Sequence, residues 1–288
     1  MAIHPAEIEG PVSAIVASGA DARLTVMGAT VVATASTVIS SPSASLSLAE
    51  LLDPAPLPGR TEPGFVGGTV IAIGEVDAAS GVIEAEEIAI EPSENIILGA
   101  VTETSATTLR INGVPIVFLD DPRMPAEPPQ NGFGFEIELD SVAVDTPASA
   151  EGYFDGSAFR AFLFEVDGDA TLADPNPQVS ILRADVRDRG DEFEVDARGA
   201  VTMAHAPAGT TTQQVRISRI DGGSETPIGT VTAQVDAEFP GFARWRFDDR
   251  IPVGSGPVLG SPPTRLRATN LSPGANNAQE DIDAELID

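Results

Sequence analysis

The chain has no cysteine and no lysine, and only one tryptophan, one tyrosine and two histidines in 288 residues. Without cysteine there are no disulfides and no thiolate metal sites. A Ser-His-Asp arrangement would have to recruit His4 or His205. His4 falls in the opening residues and His205 in TMAHAPAGT, both settings of ordinary solvated loop histidines. The motifs GxSxG, HExxH and GxxxxGK[ST] are absent. GGTVIAIG is not followed by a helix, so it is not a dinucleotide loop. No apolar run approaches the ~20 residues of a membrane-spanning helix, and no membrane insertion is expected.

Positive charge is also scarce. Sixteen arginines stand against 44 acids, for a net charge of −28. Such a surface repels phosphate backbones and anionic headgroups, which excludes nucleic acid as an expected partner. It suits a saline exterior, where screening removes the self-repulsion. The opening MAIHPAEIEG has neither the basic nor the apolar region of a signal peptide. Everything after residue 8 nevertheless has the texture of an envelope or extracellular protein, so an extracellular or cell-surface location is expected.

What is present is strand-forming. Hydrophobic residues make up 42% of the chain but aromatics only 5%, so the cores must be built from valine, isoleucine, leucine and alanine. With 27 glycines and 24 prolines, short strands joined by turns are favoured. The best helical stretch is SLSLAELLD at 45–53, opened by a serine cap and closed before Pro54. The segment GTVIAIGEVDAASGVIEAEEIAI (68–90) reads as a hairpin. In its second strand Ile83 and Ala85 are out of phase with Ile88 and Ile90. One extra residue near Glu86 and Glu87, a β-bulge, would put all four on the buried face and bend the strand as a small barrel requires. The glutamates then read as a solvated strand face.

A degenerate repeat runs through the first half. EGPVSAI (9–15), LTVMGATVVAT (24–34) and FVGGTVIAIGEVDAASGVIEAEEIAI (65–90) are echoed by LGAVTET (98–104), LRINGVPIVFL (109–119) and IELDSVAVDTPASAEGYFDGSAFRAFLFEV (137–166). Gly10 matches Gly99, Gly28 matches Gly113, and Gly74 with Asp77 matches Gly152 with Asp155. Each copy reads as five strands with a helix or loop between the third and fourth, the layout of an OB-like barrel. The Met-Gly and Asn-Gly pairs sit where a tight hairpin turn demands positive φ. This pattern resembles an uncharacterised family of OB-like β-barrel repeats in bacterial secreted and envelope proteins, over residues 9–166 in two copies. The resemblance implies a fold and carries no catalytic signature.

From about residue 176 alternating strands of 7–11 residues follow at regular spacing, and the end EDIDAELID alternates with Ile282, Ala284 and Leu286 on one face. This stretch resembles bacterial immunoglobulin-like modules, with Gly229 to Val231 preceding a strand that carries Trp245 and Phe247. Eleven of the sixteen arginines lie beyond residue 165, with twenty of the 44 acids. The expected architecture is all-β: an N-terminal arm (1–8), OB-like barrels at 9–92 and 93–170, and an immunoglobulin-like β-sandwich at 176–288.

Few residues offer chemistry. No cofactor is expected: in VDGDATLADPN (166–176), Asp167, Asp169 and Asp174 could converge on calcium, but a polar linker between barrel and sandwich is the favoured reading of the same residues. LDDPR at 119–123 reads as a turn in which Arg123 pairs with an acid. Carboxylate pairs are plentiful, but one tryptophan and one tyrosine are thin provision for a glycosidase cleft. Phe133, Phe135, Tyr153, Phe154, Phe159, Phe162 and Phe164 would serve a ligand-binding barrel if several were exposed. The function expected is a non-enzymatic extracellular structural protein whose partner is itself, a subunit of a filament or surface layer. The alternative is a small-molecule, glycan or calcium binding module of the cell envelope.

Overall fold

The computed structural model describes residues 3–93, 95–168, 170–252 and 261–287. It is 59% strand and 3% helix, so strands make up nearly all of its regular secondary structure. Two closed five-stranded barrels and a third, nearly closed sheet make up the all-β architecture. The chain divides into two compact units, Met1–Pro129 with Leu139–Val166, and Gln130–Glu138 with Asp167–Asp288.

The first barrel contains β1 (Ile3–Ser18), β2 (Asp21–Val26), β3 (Ala29–Ser41), β4 (Ala44–Ser45), a one-turn helix α1 (Leu48–Leu51), β5 (Thr69–Asp77) and β6 (Val82–Glu91). Five strands close in the order β1-β2-β3-β6-β5 and back to β1, with only β3 and β6 parallel, while β4 merely extends β3. This is the OB-like layout. The helix is shorter than SLSLAELLD suggested, because Ser47 caps it rather than Ser45: Ser47 accepts from the Glu50 N–H, and Glu50 reaches back to the Ser47 backbone. Residues 3–8 are not a free arm. They are the first half of β1, paired with β5 from Ile3↔Asp77 onward, because Ala6 and Ile8 pack on the barrel core.

The second barrel repeats the plan with β7 (Asn95–Thr104), β8 (Leu109–Ile111) and β9 (Val114–Phe118). After β10 (Gln130–Asn131), which belongs to the second unit, and a 3-10 turn at Leu139–Ser141 come β11 (Pro147–Phe154) and β12 (Phe159–Val166). The order is β7-β8-β9-β12-β11 and back to β7, with β9 and β12 parallel. Both β2–β3 type turns use the expected pairs: Met27-Gly28 at φ 47° and 85°, Asn112-Gly113 at 51° and 80°.

The bulge expected in the 68–90 hairpin is present. Ile73 pairs with Glu87 and Gly74 with Ala85, so Glu86 is the extra residue, and Ile83, Ala85, Ile88 and Ile90 are all buried. The second barrel bulges at the equivalent place: Glu151 pairs with Leu163 and Gly152 with Ala161, leaving Phe162 extra. A glycine faces each bulge for a steric reason. A β-carbon on Gly74 would overlap the Glu84 carbonyl oxygen, and one on Gly152 the Arg160 carbonyl oxygen.

The extra residue has opposite fates in the two copies. Glu86 is exposed, whereas Phe162 is buried and joins Leu119, Met124 and Tyr153 in the same core cluster as Leu51, Leu57 and Phe65 of the first barrel. The barrels therefore share a core and form one unit. Arg123 pins the seam: its guanidinium makes a two-pronged pair with Asp121 (2.9 and 2.8 Å) and donates to the carbonyls of Asp53 and Ala55. LDDPR is thus a turn with its arginine on an acid, and the turn locks the two repeats together.

The second unit comprises β13 (Val179–Asp188), β14 (Glu192–Thr202), β15 (Thr212–Asp221), β16 (Ser224–Val235), β17 (Phe242–Pro252), β18 (Arg265–Asn270), β19 (Gln279–Asp283) and β20 (Glu285–Leu286). Hydrogen bonding joins them in one sheet, β19-β18-β15-β16-β17-β14-β13-β20, rather than the two facing sheets of a sandwich. EDIDAELID is not one strand. It breaks at Ala284, so that β19 edges one side of the sheet and β20 the other, which brings the two edges near closure. Trp245, Phe247, Val195 and Leu266 fill the interior. Gln130–Glu138, placed by sequence within the second barrel, packs on the outer face of this sheet: Phe133 stacks on Phe242 with ring centroids 4.3 Å apart, and Arg244 lies 4.2 Å from the centre of the Phe133 ring. Neither Phe133 nor Phe135 is separable from the second barrel by local pattern.

Gly74→Ala and Gly152→Ala should each destabilise the first unit by about 1–3 kcal/mol, because the added carbon must displace backbone. Gly241→Ala, in the second unit, meets no atom within 4 Å and should leave that unit's stability unchanged. Chemical denaturation of the three variants checks this.

Candidate functional site

Asp167 and Asp174 lie in the loop after β12, and Asp169 lies outside the described residues. The Asp174 carboxylate accepts from the backbone and side-chain nitrogens of Asn176 (2.9 and 2.7 Å), a local turn cap. Among the described residues no group of three or more histidine or acidic side chains is arranged to hold a metal ion. His4 lies on β1 opposite Val76, and both ring nitrogens of His205 are buried, with no hydrogen-bond partner among the described residues.

A crevice of about 350 Å³ opens within the first unit, lined by Arg60, Glu62, Asn95, Tyr153, Phe154 and Asp155, among others. Its polar groups are largely engaged. The Tyr153 hydroxyl donates to the Pro58 carbonyl at 2.7 Å, and burial raises its pKa to about 12. Asp155 accepts from the N–H groups of Ala158 and Ser157 and from the Ser157 hydroxyl, all at 2.8 Å, and from Arg160 at 2.6 Å. Those donors, the Ala158 N–H first, hold its carboxyl well below the usual range. Asp77, its counterpart in the first repeat, caps the DAASG turn in the same way and is lowered for the same reason. The matched aspartates are therefore turn caps.

Six of the seven aromatics that could have formed a ligand platform are buried; Phe154 alone, 55% exposed, faces solvent. Phe159 and Phe164 are buried by strand phase, Phe133 and Phe135 by packing on Phe242, and Tyr153 and Phe162 by the core the two barrels share.

The most unusual surface is the outer face of β13, β14 and β17. Register places Arg183 opposite Arg198 and Arg198 opposite Arg246; the next row is Asp185, Asp196 and Asp248; the next is Arg187, Glu194 and Arg250. Like charges directly opposite one another are destabilising. Ion pairs relieve part of this: diagonally across the sheet, Arg246 with Asp196 (2.8 Å) and Arg250 with Glu192 (2.9 Å), and along β13, Arg183 with Asp185 (2.6 Å). Arg198, in the middle of the arginine row and exposed, has no acidic partner among the described residues. Sequence reasoning saw arginine gather in this half and missed the rows. The period-two charges of RADVRD, EVDAR and RWRFDDR were legible, but their alignment depends on register.

Two measurements check these assignments. The single tyrosine makes absorbance at alkaline pH a clean probe: Tyr153 should ionise near pH 12 in the folded chain and near 10 once unfolded. Because Asp155 is lowered on folding, it contributes stability that is full above the ordinary carboxylate pKa of about 3.9 and is lost as pH falls below it. Asp155→Asn should therefore flatten the fall in melting temperature below about pH 4.

Compared with family models, curated proteins and solved structures, the chain matches none.

Proposed function

We propose that this chain is a non-enzymatic structural protein of the cell exterior that works by self-association, as a subunit of a filament or surface layer. The observation that carries the reading is the banded outer face of β13, β14 and β17. It is a well-supported sheet surface on which three arginines share a row, in a chain with a net charge of −28. Copies so charged repel unless contacts form through locally compensated patches, and this face is such a patch. The resemblance of the repeats to secreted and envelope proteins supports an exterior setting. The alternative, an envelope binding module, rests on the crevice beside Tyr153 and Phe154, whose Tyr153 and Asp155 groups are already turned to the protein itself.

Light scattering and negative-stain imaging over a range of salt, with and without calcium, test the proposal. Assemblies much heavier than the 29.7 kDa chain are expected. A monodisperse monomer under all conditions would transfer the assignment to the binding-module reading.

A further inference from the structure

Arg198 is the feature that the fold leaves unexplained. It is exposed, it has an arginine opposite it on each neighbouring strand, and no acid of its own chain answers it among the described residues. The Arg183 and Arg246 side chains beside it are 53% and 62% exposed. Holding three guanidiniums in one row costs stability in the isolated chain, since directly opposed like charges repel. A carboxylate surface laid across the row would reverse the sign of that cost, because arginine forks bind carboxylates with two parallel hydrogen bonds.

The first barrel carries the complementary surface. The registers of β1, β5 and β6 put Glu7 opposite Ile73, Ile73 opposite Glu87, and Glu75 opposite Glu84 on the outer face, with Glu9 next along β1 and Glu86 at the bulge. All six glutamates are exposed, and none has an ion-pair partner among the described residues. The three strands carry no arginine. Ile73, 44% exposed, lies between Glu7 and Glu87. This face also bears a like-charge opposition, Glu75 against Glu84, which a cationic partner would relieve. Each surface spans neighbouring strands, about 4.8 Å apart, with side chains two residues apart along a strand. The bulge at Glu86 sets Glu86 and Glu87 side by side, both exposed.

We propose that the arginine row Arg183–Arg198–Arg246 docks the outer glutamate face of the first barrel, centred on Glu84 and Glu87, of a second copy of this chain. The inference rests on the self-association reading and specifies its contact. The two patches differ, so the contact is head-to-tail: each copy keeps one free arginine row and one free glutamate face, and addition continues into a fibre or closes into a ring. With the whole chain strongly acidic, attraction is confined to within about one Debye length, ~8 Å at 0.15 M salt, where the opposed rows meet and the remaining charge is screened.

Charge exchange in the full-length chain tests the proposal by analytical ultracentrifugation at 0.15 M salt. Arg198→Glu should weaken association at least about tenfold, and Glu84→Arg with Glu87→Arg should do the same. Both replace exposed side chains without ion-pair partners and relieve a like-charge opposition, so melting temperatures no lower than the wild type's are expected and would show that the fold survives. Mixing the two variants restores opposite charge at both kinds of junction, and large particles should return. If Arg198→Glu associates like the wild type, or the mixture stays dissociated, the assigned contact is wrong while self-association by another face stands. A wild-type chain that is monomeric throughout would overturn the proposal and the self-association reading together.

Discussion

Closing five short strands into a barrel is the constraint from which each half of the first unit follows. Closure requires the sheet to curl tightly, and a strand curls tightly where one extra residue is inserted. Both repeats place that insertion in the last strand and face it with a glycine, because the bulged backbone brings a carbonyl oxygen where a β-carbon would stand. The register of the hairpin, the burial of Ile88 and Ile90 and the outward display of the glutamates all depend on it. No disulfide is needed, since barrel closure removes sheet edges and the shared core ties the two barrels together.

The two copies of one plan diverge at the inserted position, and with consequences. A glutamate there leaves the first barrel's bulge in solvent. A phenylalanine there turns the second barrel's bulge into a contact with its neighbour, alongside Tyr153 and the Arg123–Asp121 pair. Tandem duplication followed by specialisation of one exposed site would produce such a unit: one repeat keeps a charged outer face, and the other becomes the mount.

Charge is distributed on the same logic. The aspartates that match between repeats are held by turn N–H groups, which lowers their pKa values and makes them parts of the fold. The acids and arginines free to act outward lie on strand faces, sorted by register into rows. Rows of like charge on rigid strands are the surfaces through which the proposed self-association would act. Elsewhere ion pairs close within the chain, as between Arg267 and both Asp281 and Glu225.

The fold class was legible in the sequence because strand alternation, turn glycines and the repeat are all local signals. The Met-Gly and Asn-Gly turns, the bulge at Glu86 and the pairing of Arg123 with an acid could be read within a dozen residues, since each expresses a backbone requirement of its own neighbourhood. What failed locally was decided at a distance. Residues 3–8 looked like an arm because their partner, β5, lies some seventy residues on. Gln130–Glu138 looked like part of the second barrel because nothing near Phe133 and Phe135 names Phe242 as their neighbour. The C-terminal strands were recognised one by one, but whether they form two sheets or one nearly closed sheet depends on how β19 and β20 pair at opposite edges. The charge rows are the clearest case. Each strand shows its own alternation of arginine and aspartate, yet a slip of two residues in any strand would set arginine against aspartate across the sheet. Only the tertiary pairing, fixed by packing Trp245 and Phe247 inside, decides that like faces like.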